Sequence, residues 1–174
     1  PQKLIMSQLK VNSIVPVGGL PSGASGGGII QCVSTTKTDT YSQSSTSFTD
    51  ITGLSVSITP SSNSSKVLVV VSIFVSVADA CLLRVLRGST AIGIGTANDG
   101  GSDNTGFAMA RMSASNLSDT HNLIHLDSPS TTSATTYKVQ GRPTESSANL
   151  FVNRRGSNNT YGAVSSITAF EITG

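Results

Sequence analysis

The sequence is poor in several residue types that many protein classes need. It has no Trp, two Cys, two His and two Glu among 174 residues, and charged residues make up 11% of the chain. A usual soluble domain is about 25% charged, so hydroxyl and amide groups must provide much of the solvation here. The two cysteines, Cys32 and Cys81, are too few for a disulfide framework. Each lies in an apolar, strand-like run, where we expect a free thiol that packs as a small hydrophobe rather than a bridge.

Low charge also argues against two classes of partner. The formal net charge is +2, and the 11 basic residues cluster only at Arg154 and Arg155, which is too little positive charge to indicate nucleic-acid binding. The longest apolar run, residues 66–78, is interrupted by serines and falls short of the ~20 residues that a membrane helix needs. No basic segment followed by an apolar block opens the chain, so we expect no secretory signal. We therefore expect no nucleic-acid partner and no membrane insertion.

What the sequence does contain is small hydroxyl side chains, with 30 Ser and 20 Thr. Ser and Thr are poor helix formers because their hydroxyls compete for backbone hydrogen bonds, whereas Thr, Val and Ile suit a pleated strand. An apolar content of 37% and a mean hydropathy of +0.08 still provide for a core. These values predict a folded β protein rather than a disordered chain.

A change in composition divides the chain into two regions. Residues 4–15 are mildly apolar, and residues 16–28 (PVGGLPSGASGGG) are almost wholly Pro, Gly, Ser and other small residues. We expect residues 1–28 to form an extended arm and linker, and residues 29–174 to form the head domain. So short an arm cannot bury its apolar side chains by itself and needs a partner surface. The arm residues predicted to dock are Leu4, Ile5, Leu9, Val11, Ile14 and Val15.

Period-two alternation with regular turn signals begins at Ile29. The segment Lys66–Ala78 is apolar on both faces, with Val67, Val69, Val71, Ile73, Val75 and Val77 on one and Leu68, Val70 and Phe74 on the other. Such a strand is central and is buried under a second layer or under a neighbouring chain. Further strands are predicted at 29–37, 54–58, 82–88, 91–95, 107–115, 121–127, 135–142, 148–153 and 164–172. About ten short strands predict an all-β antiparallel sandwich or barrel.

Candidate chemistry in this sequence is sparse, and we expect no enzyme and no cofactor. His121 and His125 lie on a predicted strand, ~13 Å apart, and cannot share one ion. Three copies around an axis could each supply one histidine to a metal, but ordinary strand histidines are the favoured interpretation. The loop ANDGGSDN at 97–104 lacks the spacing and the distal Glu of a calcium loop, so turn chemistry explains it better.

Three arginines lie in predicted strands with apolar neighbours. They either extend along the sheet edge or pair there, or one of them points into an interface between identical subunits. Asp79 is the nearest candidate partner in sequence. The residues predicted to form the subunit interface are Arg84, Arg87, Phe107, Met109 and Arg111.

Four segments resemble the small fibre or spike proteins of tailed bacteriophages, particularly those of cyanobacterial and other aquatic hosts. They are SQLKVNSIVPVGG, GGGIIQCVSTTKTDTYSQSSTSFTDITGLSVSITPSSNSSKVLVVVS, DSPSTTSATTYKVQGR and SSITAFEIT. The resemblance implies a homotrimer with an N-terminal arm that attaches to other virion proteins. It also implies a jelly-roll head similar to the complement and tumour-necrosis-factor type, in which the first and last strands are neighbours.

Two functions follow from that resemblance, and both place the protein at the virion surface as a tail or capsid appendage. The head either binds a host-surface glycan or protein, or it decorates the capsid without an essential ligand. A secreted signalling trimer is disfavoured because no signal peptide is visible. Long Asn- and Gly-rich loops are the predicted outward receptor surface, although they could equally serve only to connect strands. Their candidate residues are Asn98, Asp99, Asp103, Asn104, Arg154, Arg155, Asn158 and Tyr161.

Overall fold

The computed structural model describes residues 28–96, 105–156 and 162–173. Within these ranges no helix is long and apolar enough to cross a membrane. The chain forms antiparallel strands, which confirms the predicted all-β sandwich-like fold. The strands are β1 Ile29–Lys37, β2 Tyr41–Gln43, β3 Thr49–Ile58, β4 Lys66–Val77, β5 Asp79–Arg87, β6 Thr90–Ile92, β7 Ala108–Met112, β8 Asp119–Asp127, β9 Thr135–Pro143, β10 Leu150–Val152 and β11 Ser165–Ile172.

Sheet A contains the first and the last of these strands. Its order is β1-β11-β4-β10-β2, and β8 also pairs with β4. Residues 66–72 of β4 pair with β11 and residues 75–77 pair with β10, so these two strands lie end to end along one edge of β4. β8 pairs with β4 from Val67 to Val75 and therefore occupies the other edge. The expected pairing of the first and last strands is confirmed by β1 and β11.

Sheet B has the order β3-β9-β5-β6, and β7 also pairs with β5. Residues 81–87 of β5 pair with β9, while the other edge of β5 is shared by β7 and β6. Each sheet thus has one long central strand, β4 in sheet A and β5 in sheet B, with partners along both edges.

The hydrophobic core lies between the two sheets, and β4 supplies its centre. Alternate β4 residues from Val67 to Val77 are fully buried, as the period-two pattern predicts. They pack in one cluster with sheet B residues that include Leu54, Leu83 and Val139. Burial of a Val or Leu side chain contributes ~1.5–3 kcal/mol, so this interleaved layer accounts for much of the stability of the fold.

A buried carboxylate joins the two sheets at one end of the sandwich. Asp127, the last residue of β8 in sheet A, is 6% exposed. Tyr137 OH donates a hydrogen bond to Asp127 Oδ2 at 2.7 Å, and Arg87 Nη1 donates to Oδ1 and Oδ2 at 2.8 and 3.0 Å. Arg87 and Tyr137 lie opposite each other on β5 and β9, so the register of sheet B brings both donors to one carboxylate. Burial, with the hydrogen bond to Asp127, raises the pKa of Tyr137 well above its ordinary value and keeps its hydroxyl a donor.

A second buried carboxylate, Glu171 of β11, holds the turn between β3 and β4. Its Oε1 accepts hydrogen bonds from Ser61 N at 2.6 Å and from Ser61 Oγ at 2.7 Å. Burial alone would raise the pKa of Glu171, but the hydrogen bonds from Ser61 and Ser65 outweigh it and hold the pKa below its ordinary value. The ionised form is therefore the one that stabilises the turn.

Glu171→Gln is expected to lower the free energy of unfolding at neutral pH. The loss of stability should be smaller in acid. Because the folded-state pKa is lowered, the carboxylate stabilises the fold above the unfolded pKa of about 4.3, and that stabilisation is lost as the pH falls through the folded pKa. Urea unfolding midpoints from about pH 7 to about pH 2.5 measure the difference from the unchanged chain. Glu145→Gln, at the exposed second glutamate, is the control. A gap between Glu171→Gln and the unchanged chain that does not narrow in acid would contradict the argument.

The predicted strand positions agree with the structure where alternation is long. β1 has the predicted bounds, and β4 ends one residue earlier than predicted, at Val77. β2 is missing from the prediction, because its three residues lie in a run of Ser and Thr where no alternation is visible.

Candidate functional site

The outer face of sheet A carries apolar side chains on four neighbouring strands. Residues opposite each other in an antiparallel pair point to the same face of the sheet. Cys32, Phe170, Leu68 and Leu126 are opposite one another in turn across β1, β11, β4 and β8. Val70 and Ile124 form the next apolar pair on β4 and β8. We call these residues the A face: Cys32, Leu68, Val70, Ile124, Leu126 and Phe170.

The A face is most open to water at β8, where Ile124 is 73% exposed and Leu126 is 54% exposed. None of its six residues is charged; Lys66, which points to the same side at the start of β4, lies at the end of the face and donates a hydrogen bond to Ser128 Oγ at 2.8 Å. Exposed apolar surface costs ~25 cal/mol per Å² relative to burial, and a contiguous apolar patch on a sheet marks a contact surface. The sequence prediction that β4 needs cover on both faces agrees with this geometry. Sequence alternation did not identify Ile124 and Leu126, because both faces of β8 contain apolar residues.

The histidines of β8 lie on the opposite side of that strand from the A face. His121 and His125 alternate with Ile124 and are partly buried, and the His125 ring lies close to Gly93 beside β6. His121 Nε2 is 3.9 Å from Asp119 Oδ2. In the described part of the chain, no three His, Cys, Asp or Glu side chains come together in a way that could hold a metal ion.

The two cysteines lie on different sheets and are free thiols, as predicted. Cys32 is exposed at the rim of the A face, in the outermost strand of sheet A. Cys81 faces the core from β5, and burial raises its pKa to about 12. The reactive thiolate is therefore hardly populated at Cys81.

A thiol reagent is expected to modify Cys32 in the folded protein well before it modifies Cys81. The reason is that Cys81 is fully buried in the core and protonated at neutral pH, so a reagent reaches it only when the fold opens, whereas Cys32 lies on the surface of the chain and is reached without unfolding. Peptide mass spectrometry after timed labelling measures both sites, and labelling in denaturant gives the maximum for each. In Cys32→Ser the fast phase should vanish. Equal labelling rates, or a Cys32–Cys81 disulfide, would contradict the structure.

The arginines predicted to lie at a subunit interface belong to sheet B, and the structure gives each a partner within the chain. Arg87 binds Asp127, as described above. Arg84 Nε donates to Gln140 Oε1 at 2.8 Å. Arg111 Nε lies 3.6 Å from Oδ1 of Asp79, the partner suggested by the sequence, and both side chains are exposed.

The apolar members of that predicted interface lie on the same sheet. Phe107 precedes β7 and packs partly against the core, whereas Met109 in β7 is 63% exposed. The five residues therefore lie on β5, on β7 or directly before β7, and none of them belongs to the A face. Their role at an interface stays a prediction, which an exposed residue such as Met109 can test.

Most of the predicted docking and receptor residues lie outside the described residues. These include the whole arm and the loop residues Asn98, Asp99, Asp103, Asn104, Asn158 and Tyr161. Arg154 and Arg155 are described, and the Arg154 guanidinium lies 4.3 Å from the centre of the Phe151 ring. Arg154 also forms an isolated β-bridge with Gly162. The start of one predicted receptor loop thus lies among the described residues.

Comparison of the chain with protein-family models yields no match, and comparison with curated proteins yields none. The functional interpretation therefore depends on the residues and their geometry. The A face is the feature from which that interpretation starts.

Proposed function

We propose that the protein is a non-enzymatic homotrimeric appendage of a phage virion, whose arm docks on the particle and whose head faces outward for adhesion to the host surface. The observation that carries this proposal is the A face, with Ile124 and Leu126 exposed on a sheet that otherwise has a well-packed inner side. The phage-fibre resemblance of the sequence supports the setting.

The occupant that we assign to the A face is the same face of two further copies of the chain. An apolar surface can meet copies of itself without bringing like charges together, which a heavily charged face could not do.

The place where the head begins favours the same arrangement of subunits. β1 lies in sheet A, so the described part of the head begins on the sheet that would surround the threefold axis. Three arms would then start near one another, as a docking stalk requires.

A jelly-roll connectivity is part of the proposal. The neighbours β1-β11-β4-β8 in one sheet and β3-β9-β5-β6 in the other are the pairings that support it. In the proposed trimer, sheet A faces inward and the outer surface of sheet B faces solvent. Sheet B is then the side of the head that is available to a ligand.

Two measurements test the proposal together. Light scattering of the full chain at micromolar concentration is expected to give three times the chain mass. The same sample is mixed with cyanobacterial cells or with their purified lipopolysaccharide, and separately with phage particles that lack the protein. Binding to cells and particles is the expected result. A trimer that binds only the particles would identify a capsid decoration protein, and a monomer would overturn the assembly.

A further inference from the structure

The outer surface of sheet B contains a depression of about 470 Å³ that the sequence did not indicate. Its walls come from two places, the segment that leads into β3 and the strands β5 and β9. Because these segments are far apart in sequence, no motif marks the site. The residues that line it are Thr46, Ser47, Phe48, Arg84 and Arg142.

Phe48 is the centre of the depression, and two guanidinium groups lie against its ring. The Arg84 guanidinium carbon is 3.9 Å from the ring centre, and that of Arg142 is 5.3 Å from it. Stacking of this kind suits the planar guanidinium and fixes its orientation. One aromatic ring therefore holds two cationic groups at the same surface.

Hydrogen bonds fix the two arginines further. Arg142 is only 8% exposed, and its Nη1 donates to the carbonyl oxygens of Thr46 at 3.2 Å and Pro143 at 3.4 Å. Arg84 donates to Gln140, and Gln140 Nε2 in turn donates to Asp50 Oδ1 at 2.6 Å. Side chains that are already ordered lose little conformational entropy when a ligand binds.

The lining of the depression has a defined chemical character. Two arginines line it, together with the hydroxyl groups of Thr46 and Ser47, both on exposed residues. The carboxylate that interacts electrostatically with Arg84, Asp50, is not part of the lining and accepts hydrogen bonds from Lys138 and Gln140. Guanidinium groups recognise carboxylates well because the two are geometrically matched, and hydroxyl groups can both donate to and accept from sugar hydroxyls. The volume is in the range of pockets that bind organic ligands with several rings. It is larger than the volume that a single inorganic anion requires.

We propose that this depression binds an acidic saccharide, with the carboxylate of a uronic-acid residue at Arg84 and Arg142 and the sugar hydroxyls at Thr46 and Ser47. The inference deepens the proposed adhesion function and rests on it for the outward orientation of sheet B. In the proposed trimer the site occurs three times on the outer surface, so weak binding at each copy gains from multivalency.

The test compares two trisaccharides that differ in their carboxylates, tri-galacturonate and galactotriose, by calorimetric titration of the full chain. Tri-galacturonate is expected to bind at least about tenfold more tightly than galactotriose, and the difference should shrink at high salt. Sodium phosphate is the third probe, and it is expected to compete only weakly because it reaches one part of the site.

Arg84→Gln tests the site itself and is expected to weaken tri-galacturonate binding at least about tenfold. Arg111→Gln is the matched control, since Arg111 is an exposed arginine on β7 of the same sheet. It should leave the affinity unchanged. If Arg84→Gln lowers the melting temperature, Phe48→Leu provides a second variant that keeps the charges and removes the ring.

Several results would overturn the site. They are equal affinity for both trisaccharides, equal losses in Arg84→Gln and Arg111→Gln, or displacement of tri-galacturonate by phosphate at equal concentration. The mass of the same sample separates this inference from the proposed function. A trimer that binds no saccharide would contradict the proposed site and support the proposed assembly. A monomer that binds tri-galacturonate would support the site and contradict the assembly.

Discussion

Ile124→Asp is expected to convert the chain from a trimer into a monomer at micromolar concentration. Ile124 is the most exposed large apolar residue of the A face, and it lies on β8 at the margin of sheet A. In the proposed trimer a carboxylate at this position would lose its water without gaining a cationic partner. An unpaired buried charge costs several kcal/mol, and three such charges would meet in each assembly. Light scattering should therefore report one third of the unchanged mass.

Met109→Asp is the matched control for this variant. Met109 is nearly as exposed, at 63%, and also lies on a strand at the margin of its sheet, but it belongs to sheet B and to the interface that the sequence predicted. A trimer in Met109→Asp and a monomer in Ile124→Asp would place the interface on the A face. The reverse result would return it to β5 and β7. Trimers in both variants would remove the A face from the assembly.

The fold itself is expected to survive Ile124→Asp, which makes the measurement interpretable. The buried core residues of sheet A are on the other side of the sheet, and Ile124 is not among them. Circular dichroism should remain that of a β protein. A loss of strand content would mean that β8 needs the subunit contact to stay paired with β4.

Long alternating segments could be predicted because burial imposes a period of two on them. β4 shows this best, since six alternate residues from Val67 to Val77 lie in the core as expected. The sequence also predicts, from Leu68 and Val70, that the second face of β4 needs cover. It could not say which other strands complete that face, because Cys32 and Phe170 meet Leu68 only through the strand order of the folded sheet.

The placement of the arginines shows a different limit of the sequence. Arg84, Arg87 and Arg111 look alike, as isolated cations among apolar neighbours in predicted strands. Their environments differ because each depends on a strand distant in sequence, with Arg87 bound 40 residues away at Asp127. The depression around Phe48 is subject to the same limit, since Phe48 and Arg142 become neighbours only when β9 pairs with β3 and β5.

The junction of Asp127, Arg87 and Tyr137 connects the two sheets independently of the apolar core. Asp127 belongs to sheet A, and both of its donors belong to sheet B. A hydrogen bond to a charged group contributes about 1.5–3 kcal/mol when it replaces water. The cost of losing the carboxylate is larger, since the buried Tyr137 hydroxyl would then have no acceptor and Arg87 would keep only the carbonyl oxygen of Ser128, at 3.2 Å from Nη1.

Asp127→Ala is expected to lower the free energy of unfolding by about 3–5 kcal/mol. The substitution leaves the buried Tyr137 hydroxyl without its acceptor and the Arg87 charge without its carboxylate. Urea unfolding at a fixed chain concentration measures the change, since oligomerisation shifts the midpoint with concentration. Asp119→Ala is the control at the exposed start of the same strand, where the carboxylate lies 3.9 Å from His121 Nε2, and it should lower the free energy of unfolding by less than about 1 kcal/mol.

Tyr137→Phe removes one of the two donors to Asp127. In the otherwise unchanged chain it should lower the free energy of unfolding by about 1–2 kcal/mol. In the Asp127→Ala background the same substitution should cost less, because the hydroxyl has already lost its acceptor. Additive losses, or equal effects of Asp127→Ala and Asp119→Ala, would show that the junction does not hold the sheets together. Non-additive losses would show that Asp127 and Tyr137 stabilise the fold together. The junction would then contribute a part of the free energy of unfolding that the apolar core does not supply.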